Sequence, residues 1–423
     1  MIKNFLIFLA IGFATLVVFR HSFFTFFAQD DFILINEFSQ SSLGSDFKNA
    51  VGLPKVTHWR PMHNMFFLAA GNLFGDNYFG YHVLTFLIHA SASLLIFKIV
   101  ERITKNFRAA FVSSLVYAVH PSHFVTLFWI SGSATTIGFV FLLFSFYLYL
   151  LKKQLLSLVT FVVSLLASEA MVVGIGIFSL YKLLLENKLV GDSYLKKIFF
   201  VSVVFLVSRF AFLTPQSTYD AYQIKVWPAV ITNTKYYLLR IAGFAEASGD
   251  LTVSIALLGL LLFIFMNITR ELTYKSAHKA IILGLSLIIL GLFPFALISN
   301  LSAHYMNISI FGFAILIGLA ISKFNQMKIL AFLVIFLTLS LFNVSKTYEN
   351  NWVVKRSSLA QRYIQEVENS NIPEESMIIF NDNYISTSKE AYIALGAGKA
   401  IDFLFEGKNY QYCFSAFENC EKK

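Results

Sequence analysis

Residues 78–100 read YFGYHVLTFLIHASASLLIFKIV. The stretch is apolar almost throughout; its one lysine lies near its end, and Asp76 before it and Glu101 and Arg102 after it mark its limits. An α-helix rises ~1.5 Å per residue, so a run of this length crosses a ~30 Å hydrocarbon core. The apolar residues are continuous rather than alternating, which argues for a membrane helix and against a barrel strand.

Working outward, the same pattern recurs along the chain. Apolar runs at about 2–20, 107–120, 131–151, 154–168, 169–187, 196–213, 250–268, 279–298, 305–322 and 327–345 bring the expected total to about eleven spans. The 423-residue chain is 57% hydrophobic, 17% aromatic and only 13% charged, with 48 Phe, and its mean hydropathy is +0.68. A soluble domain carries about 25% charged residues. These figures exclude a soluble globular enzyme, a disordered chain and a disulfide-framework protein. The fold class they indicate is an all-α polytopic membrane protein. Segment 228–247 is more polar (Asn233, Lys235, Arg240) and reads as an amphipathic helix lying at the interface. The first segment lacks a small-residue cleavage site and reads as an uncleaved span.

The net charge of +9 follows from topology. Segments expected on the cytoplasmic side hold sixteen basic residues and four acids, whereas the opposite loops hold seven basic residues and nine acids. Basic excess marks the cytoplasmic side, so the N-terminus is expected inside and the C-terminus outside, with no nucleic-acid role. Two stretches are not membrane. The first outer loop, about 21–77, is long and polar, and loops of this length usually carry function. The tail, 346–423, has ordinary globular composition and is expected to form a helix (352–369), a strand (376–380), a helix (388–396) and a short β-like end. Its Cys413 and Cys420 form no zinc or CxxC pattern and can pair in an oxidising exterior.

An ionisable group in a bilayer costs about 2.5–3.5 kcal/mol, so it usually faces protein or an aqueous cavity. Here such residues fall at the outer ends of the spans: Asp30 and Asp31, Arg60 and His63, His82 and His89, His120 and His123, Glu169, Arg209, Lys235 and Arg240, and His304 with Tyr305. Acids, histidines and cations thus converge on one side of the membrane. A carboxylate there can deprotonate an acceptor hydroxyl, and Arg, Lys and His can hold a leaving phosphate. The export side has no nucleotide sugars, so a lipid-phosphate sugar is the natural donor. The adjacent Asp30–Asp31 carboxylates could also chelate a divalent ion such as Mg or Mn, but no further ligand set accompanies them. His82 and His89, seven residues apart on one helix face, read more readily as packing histidines. No P-loop, GxGxxG or HExxH motif occurs.

Over residues 25–175 the chain resembles the GT-C glycosyltransferases, in particular the transmembrane and tetratricopeptide-repeat O-mannosyltransferase branch and the related protein O-mannosyltransferase and aminoarabinose-transferase group. The similarity lies in Gln29-Asp30-Asp31-Phe32, Trp59-Arg60-Pro61, Gly80-Tyr81-His82 with His89-Ala90, His120-Pro121-Ser122-His123 through Trp129-Ile130-Ser131-Gly132, and Ala167-Ser168-Glu169. It implies a GT-C transmembrane domain over 1–345 with an extracytoplasmic C-terminal domain over 346–423. It also implies inverting transfer of a sugar from a polyprenyl-phosphate donor to a surface glycan, lipid or protein, with Asp30 as base, Asp31 in support and Glu169 as second acid. Arg60 and His123 match the group's outer-face polar set.

The pattern departs in places. Thr126 stands for the group's Glu after HPxH, Ser133 for its Arg after WIxG, His304 for a later Arg, and the Lys before the second acid is missing. The repeats that would present a protein acceptor are also absent, which argues against protein O-mannosylation specifically. His63, His120, His123, Arg209, Lys235, Arg240 and His304 remain candidates for the donor phosphate and substrate. The alternative function is a transporter or flippase of lipid-linked sugars, a class that places its charges near the midplane and carries inverted repeats.

Overall fold

The computed structural model describes residues 2–38, 43–52, 59–186, 192–212, 227–244, 251–271 and 275–420. Lys55, Lys188, Asp220, Lys225, Glu246 and Asp250, which entered the charge count, lie outside the described residues.

Every expected span carries a helix. In chain order the helices up to the tail are α1 (Ile2–Phe19), α2 (Asp30–Phe38), α3 (Leu43–Val51), α4 (Pro61–Phe74), α5 (Tyr78–Thr104), α6 (Phe107–Ala118), α7 (Phe124–Phe128), α8 (Ala134–Leu150), α9 (Gln154–Ala167), α10 (Gly174–Tyr181), α11 (Ser193–Phe212), α12 (Ala229–Ile241), α13 (Leu251–Glu271), α14 (Lys275–Ala296), α15 (Asn307–Ile321) and α16 (Gln326–Asn350). Among the described residues six helical stretches are long and apolar enough to cross a membrane singly. A seventh span is the pair α6 and Pro121–Phe128, bent by 45° at its break, and α9 and α15 are shorter apolar helices. Leu258, Leu262, Phe265, Ile289, Phe293, Leu330 and Val334 are exposed. A water-soluble protein would not present so much continuous apolar surface; on a multi-pass membrane protein it faces lipid.

Local chemistry explains several helix ends. Asn106 and Asn325 cap α6 and α16 by accepting from the amides of Ala109 and Lys328. Pro121, which has no N–H to continue α6, opens the next short turn and sets the break. Glycine allows the closest approaches between spans. A Cβ at Gly312 of α15 would lie 2.5 Å from the Gly284 carbonyl of α14, and one at Gly318 would lie 2.5 Å from the Ala109 carbonyl of α6.

Helix α12 forms within the segment expected at the interface. Its packed face is the polar one: Asn233 Nδ2 donates to the carbonyls of Ala296 and Ile298 at 3.0 and 2.8 Å. Ile231, Leu238 and Leu239 are exposed, as is Lys235.

The tail forms α17 (Trp352–Asn369), β1 (Met377–Phe380), α18 (Ser388–Ala394), α19 (Lys399–Leu404) and β2 (Gln411–Phe414). The strands pair in parallel, Met377 opposite Gln411 through Phe380 opposite Phe414. Cys413 and Cys420 are joined by a disulfide. The tail packs on the segment after α1: Phe27, Phe32, Ile35, Phe67 and Tyr81 share one apolar core with Tyr363, Ile364, Phe380, Leu395, Ile401 and Phe414, while the spans build a second core.

Candidate active site

Asp30 and Asp31 open α2, where the positive end of the helix dipole favours carboxylates. Their side chains then diverge. Asp31 is 1% exposed. Its Oδ1 accepts from the Ser131 backbone N–H at 2.7 Å and the Ser131 hydroxyl at 2.6 Å, and its Oδ2 accepts from the Ala28 N–H at 3.1 Å. Burial pushes its carboxyl up to about 7 against these hydrogen bonds. Asp31 is therefore a buried clamp between α2 and the turn Ile130–Ser133.

Asp30 keeps an open face to solvent. Enough protein surrounds it for desolvation to raise its carboxyl above the ordinary value, and the charges of Arg60 and Arg356 oppose that rise. Water at its open face damps all of these effects.

Arg60 sits at the N-cap of α4, whose first residue is Pro61. Its guanidinium grips Glu169 at two points, Nε to Oε2 at 2.9 Å and Nη2 to Oε1 at 2.7 Å. Arg209 approaches from α11, with Nη2 4.0 Å from Glu169 Oε1 and Nη1 donating to the Trp59 carbonyl at 3.3 Å. His304 bonds Ser302 Oγ through Nδ1 at 2.6 Å. Burial, reinforced by the charge of Arg60, pushes it down to about 3. The ring is neutral at physiological pH, so His304 offers a hydrogen bond there and not the charge expected of a phosphate ligand. Trp129 links His304 (ring centroids 6.1 Å apart) to Trp352 (5.2 Å).

The structure thus brings together Asp30, Arg60, Glu169, Arg209 and His304 from the sequence-derived set. It adds Arg356 of α17, which sequence reading missed. Arg356 lies over the Trp352 ring at 4.8 Å and donates from Nη1 to Gln29 Oε1 at 2.6 Å. The only sequence signal for it was a basic residue in the first turns of a helix that follows a span.

The remaining candidates have other surroundings. His63 is buried against Phe66 and Phe67. Four histidines lie on or beside the broken span. A break leaves buried carbonyls without helical partners, and these must be satisfied internally; here those of Ala118 and Leu127 take histidine partners. His89 Nε2 bonds the Ala118 carbonyl (2.8 Å), His120 Nε2 that of Ile241 (3.0 Å), and His82 lies between those of Leu127 (3.0 Å) and Thr25 (2.9 Å). His123 packs on His89 and Tyr117, with ring centroids 4.5 Å away in each case. Ser122 bonds the Arg240 carbonyl, and the Arg240 guanidinium bonds the Phe244 carbonyl at 2.9 Å. Lys235 lines an apolar groove with Trp227, Ile231, Leu238 and Leu239.

Both oxygens of Asp31 are engaged by N–H and O–H donors, both oxygens of Glu169 by Arg60, and the charges acting on Asp30 are arginines. Among the described residues no group of three or more His, Cys, Asp or Glu side chains is arranged around a common point.

No protein-family model matches the chain, and no curated protein matches it in sequence. Solved structures do match in fold. ArnT from Cupriavidus metallidurans bound to undecaprenyl phosphate is 12% identical, with a TM-score of 0.58 over 97% of this chain and 90% of that one. The Archaeoglobus fulgidus oligosaccharyltransferase in its apo form is 10% identical, with a TM-score of 0.52 over 93% of this chain and 64% of that one. The same enzyme tethered to an acceptor peptide containing the NVT sequon gives 10% identity and a TM-score of 0.51 over 97% and 63%. Identities this low speak for architecture alone, and on that ground the chain has the GT-C fold.

Proposed function

We propose that this protein transfers a sugar from a polyprenyl-phosphate donor to an acceptor hydroxyl outside the cytoplasm. The observation that carries the reading is the solvent-open carboxylate of Asp30, held at a helix N-terminus in the field of Arg60 and Arg356. The shared fold with a protein crystallised on undecaprenyl phosphate supports it. So does the Cys413–Cys420 disulfide, a bond of oxidising compartments, on the tail that the charge asymmetry assigns to the exterior.

In this mechanism Asp30 takes the proton of the acceptor hydroxyl as that oxygen bonds to the anomeric carbon. The bond from the anomeric carbon to the phosphate oxygen breaks on the opposite face, and the configuration inverts. The departing phosphate carries its negative charge into the field of Arg60 and Arg209. Desolvation makes Asp30 a stronger base than a free carboxylate, while the arginines keep it ionised. Glu169 acts through Arg60, holding the guanidinium at a fixed angle, and Asp31 acts through the backbone it clamps.

Mass spectrometry of surface glycans, lipids and proteins, with and without the gene, identifies the transferred sugar and its carrier. In the complemented strain Asp30→Asn should reduce that product by at least about a hundredfold with the protein still present in the membrane. Full product from the variant would refute Asp30 as base. Movement of a lipid-linked sugar across vesicles with no covalent product would refute the reading altogether.

A further inference from the structure

Gln29 has a backbone φ of +53°, a left-handed conformation that a residue with a side chain adopts at some cost. It immediately precedes Asp30, so its conformation sets the direction in which Asp30 leaves the chain. Three groups of the tail hold it there. Arg356 Nη1 donates to Gln29 Oε1 at 2.6 Å, and the Gln29 N–H donates to the Ala394 carbonyl at 3.0 Å. Gly396, itself at φ +58°, lies so close that a Cβ there would be 2.5 Å from the Gln29 carbonyl. Arg356 is in turn steadied by the face of Trp352, which sits in the first turn of α17 behind the Asn351 cap.

We propose that Arg356 is a positioning residue for Asp30: the tail, through Arg356, holds the Gln29–Asp30 backbone in place and supplies a positive charge beside the carboxylate. Arg60 has its fork filled by Glu169. Arg356 has no carboxylate within ion-pair distance among the described residues, and its half-buried charge interacts with Asp30 and, less, with Glu390. This accounts for the shared core between the tail and the segment after α1. The role deepens the transferase reading, in which Asp30 is the base, but the influence of Arg356 on Asp30 is testable without it.

The charged groups around Asp30 are few. Asp31 and Glu37 share its helix, Arg60 and Arg356 oppose it, Glu390 acts on Arg356, and the other elements packed on α2 bring Lys48, His63, Lys399 and Asp402. Of these, Lys399 and Asp402 pair with each other and His63 is buried between phenylalanines.

The test is carbodiimide labelling of the full-length protein in detergent, with peptide mass spectrometry reading modification of Asp30 against pH. Only the protonated carboxyl reacts. Arg356→Gln should move the labelling midpoint of Asp30 up by about 0.5–1 unit, the modest shift expected where solvent screens the pair, and should cut product in the complemented strain. Arg356→Lys keeps the charge and should keep the midpoint, but without the planar guanidinium that lies over Trp352 and bonds Gln29 it should still lose product. An unchanged midpoint in folded Arg356→Gln protein would overturn the proposal, as would full product from both variants. If Arg356→Gln does not fold, Arg356→Lys decides: wild-type product overturns the proposal, and reduced product at an unchanged midpoint supports it. If transfer proves not to be the activity, the labelling midpoint still reports on Arg356 and Asp30.

Discussion

Arg60 and Glu169 stand 109 residues apart in the chain and meet in a two-point ion pair, with Nε–Oε2 at 2.9 Å and Nη2–Oε1 at 2.7 Å. The pair joins the loop before α4 to the turn after α9 and fixes the cation that faces Asp30. A planar guanidinium makes both bonds at once, which an ammonium cannot. Arg60→Lys should therefore reduce transfer about tenfold to a hundredfold, equivalent to about 1.5–3 kcal/mol. Glu169→Gln should act similarly by loosening Arg60. Product yield in complemented cells, normalised to protein in the membrane, measures both, and wild-type yield from either would show that the pair is dispensable.

Asp31 gives a signed pH dependence. Its folded pKa of about 7 lies above the ordinary 3.8, so the folded protein holds this proton more tightly than the unfolded chain. On this group alone, stability is greatest below the unfolded value, declines as pH rises from about 4 to 7, and is flat beyond. Asp31→Asn should abolish that component. Its amide nitrogen would also face the Ala28 N–H, donor against donor, at a cost of about 1–3 kcal/mol. Thermal midpoints of both proteins between pH 5 and 8 check this: the gap between them should be wider at pH 5 than at pH 8.

Gly318→Ala should weaken the bundle at its most central helix. The added methyl would meet the Ala109 carbonyl at 2.5 Å, and backbone cannot swing aside as a side chain can. The expected loss is about 1–3 kcal/mol, read as a lower thermal midpoint in detergent. An unaltered midpoint would mean that α6 and α15 separate at little cost.

The Cys413–Cys420 bond closes a short loop at the end of the tail. Removing it with Cys413→Ser should destabilise the tail by about 2–3 kcal/mol in the chain-entropy account. In intact cells a membrane-impermeant maleimide should label these cysteines only after an impermeant reductant has been added. Labelling without reduction would place free thiols there, and no labelling after reduction would argue against an exterior tail.

Much of this protein is local information. A helix long enough to span a bilayer needs only an unbroken apolar run, and the charges that end each run are read directly, so α5, α8, α13, α14 and α16 were legible from sequence. So were α17, β1, α18 and the β-like end of the tail, though not α19, and the acids that open α2. What no local pattern carries is which distant groups meet. Asp30 and Asp31 are neighbours of identical chemistry, yet packing against Ser131 buries one and leaves the other open. His120 read as a candidate substrate ligand because it is a polar residue at a span end, and in the tertiary structure its ring bonds the Ile241 carbonyl at the end of α12. Arg356 was not singled out by the sequence, and only the docking of α17 on the segment after α1 brings it to Gln29. The hydrophobic effect acts on composition and period, which a sequence displays. Ion pairs and buried hydrogen bonds depend on distances of about 3 Å between residues a hundred or more positions apart, and those distances exist only once the helices have packed.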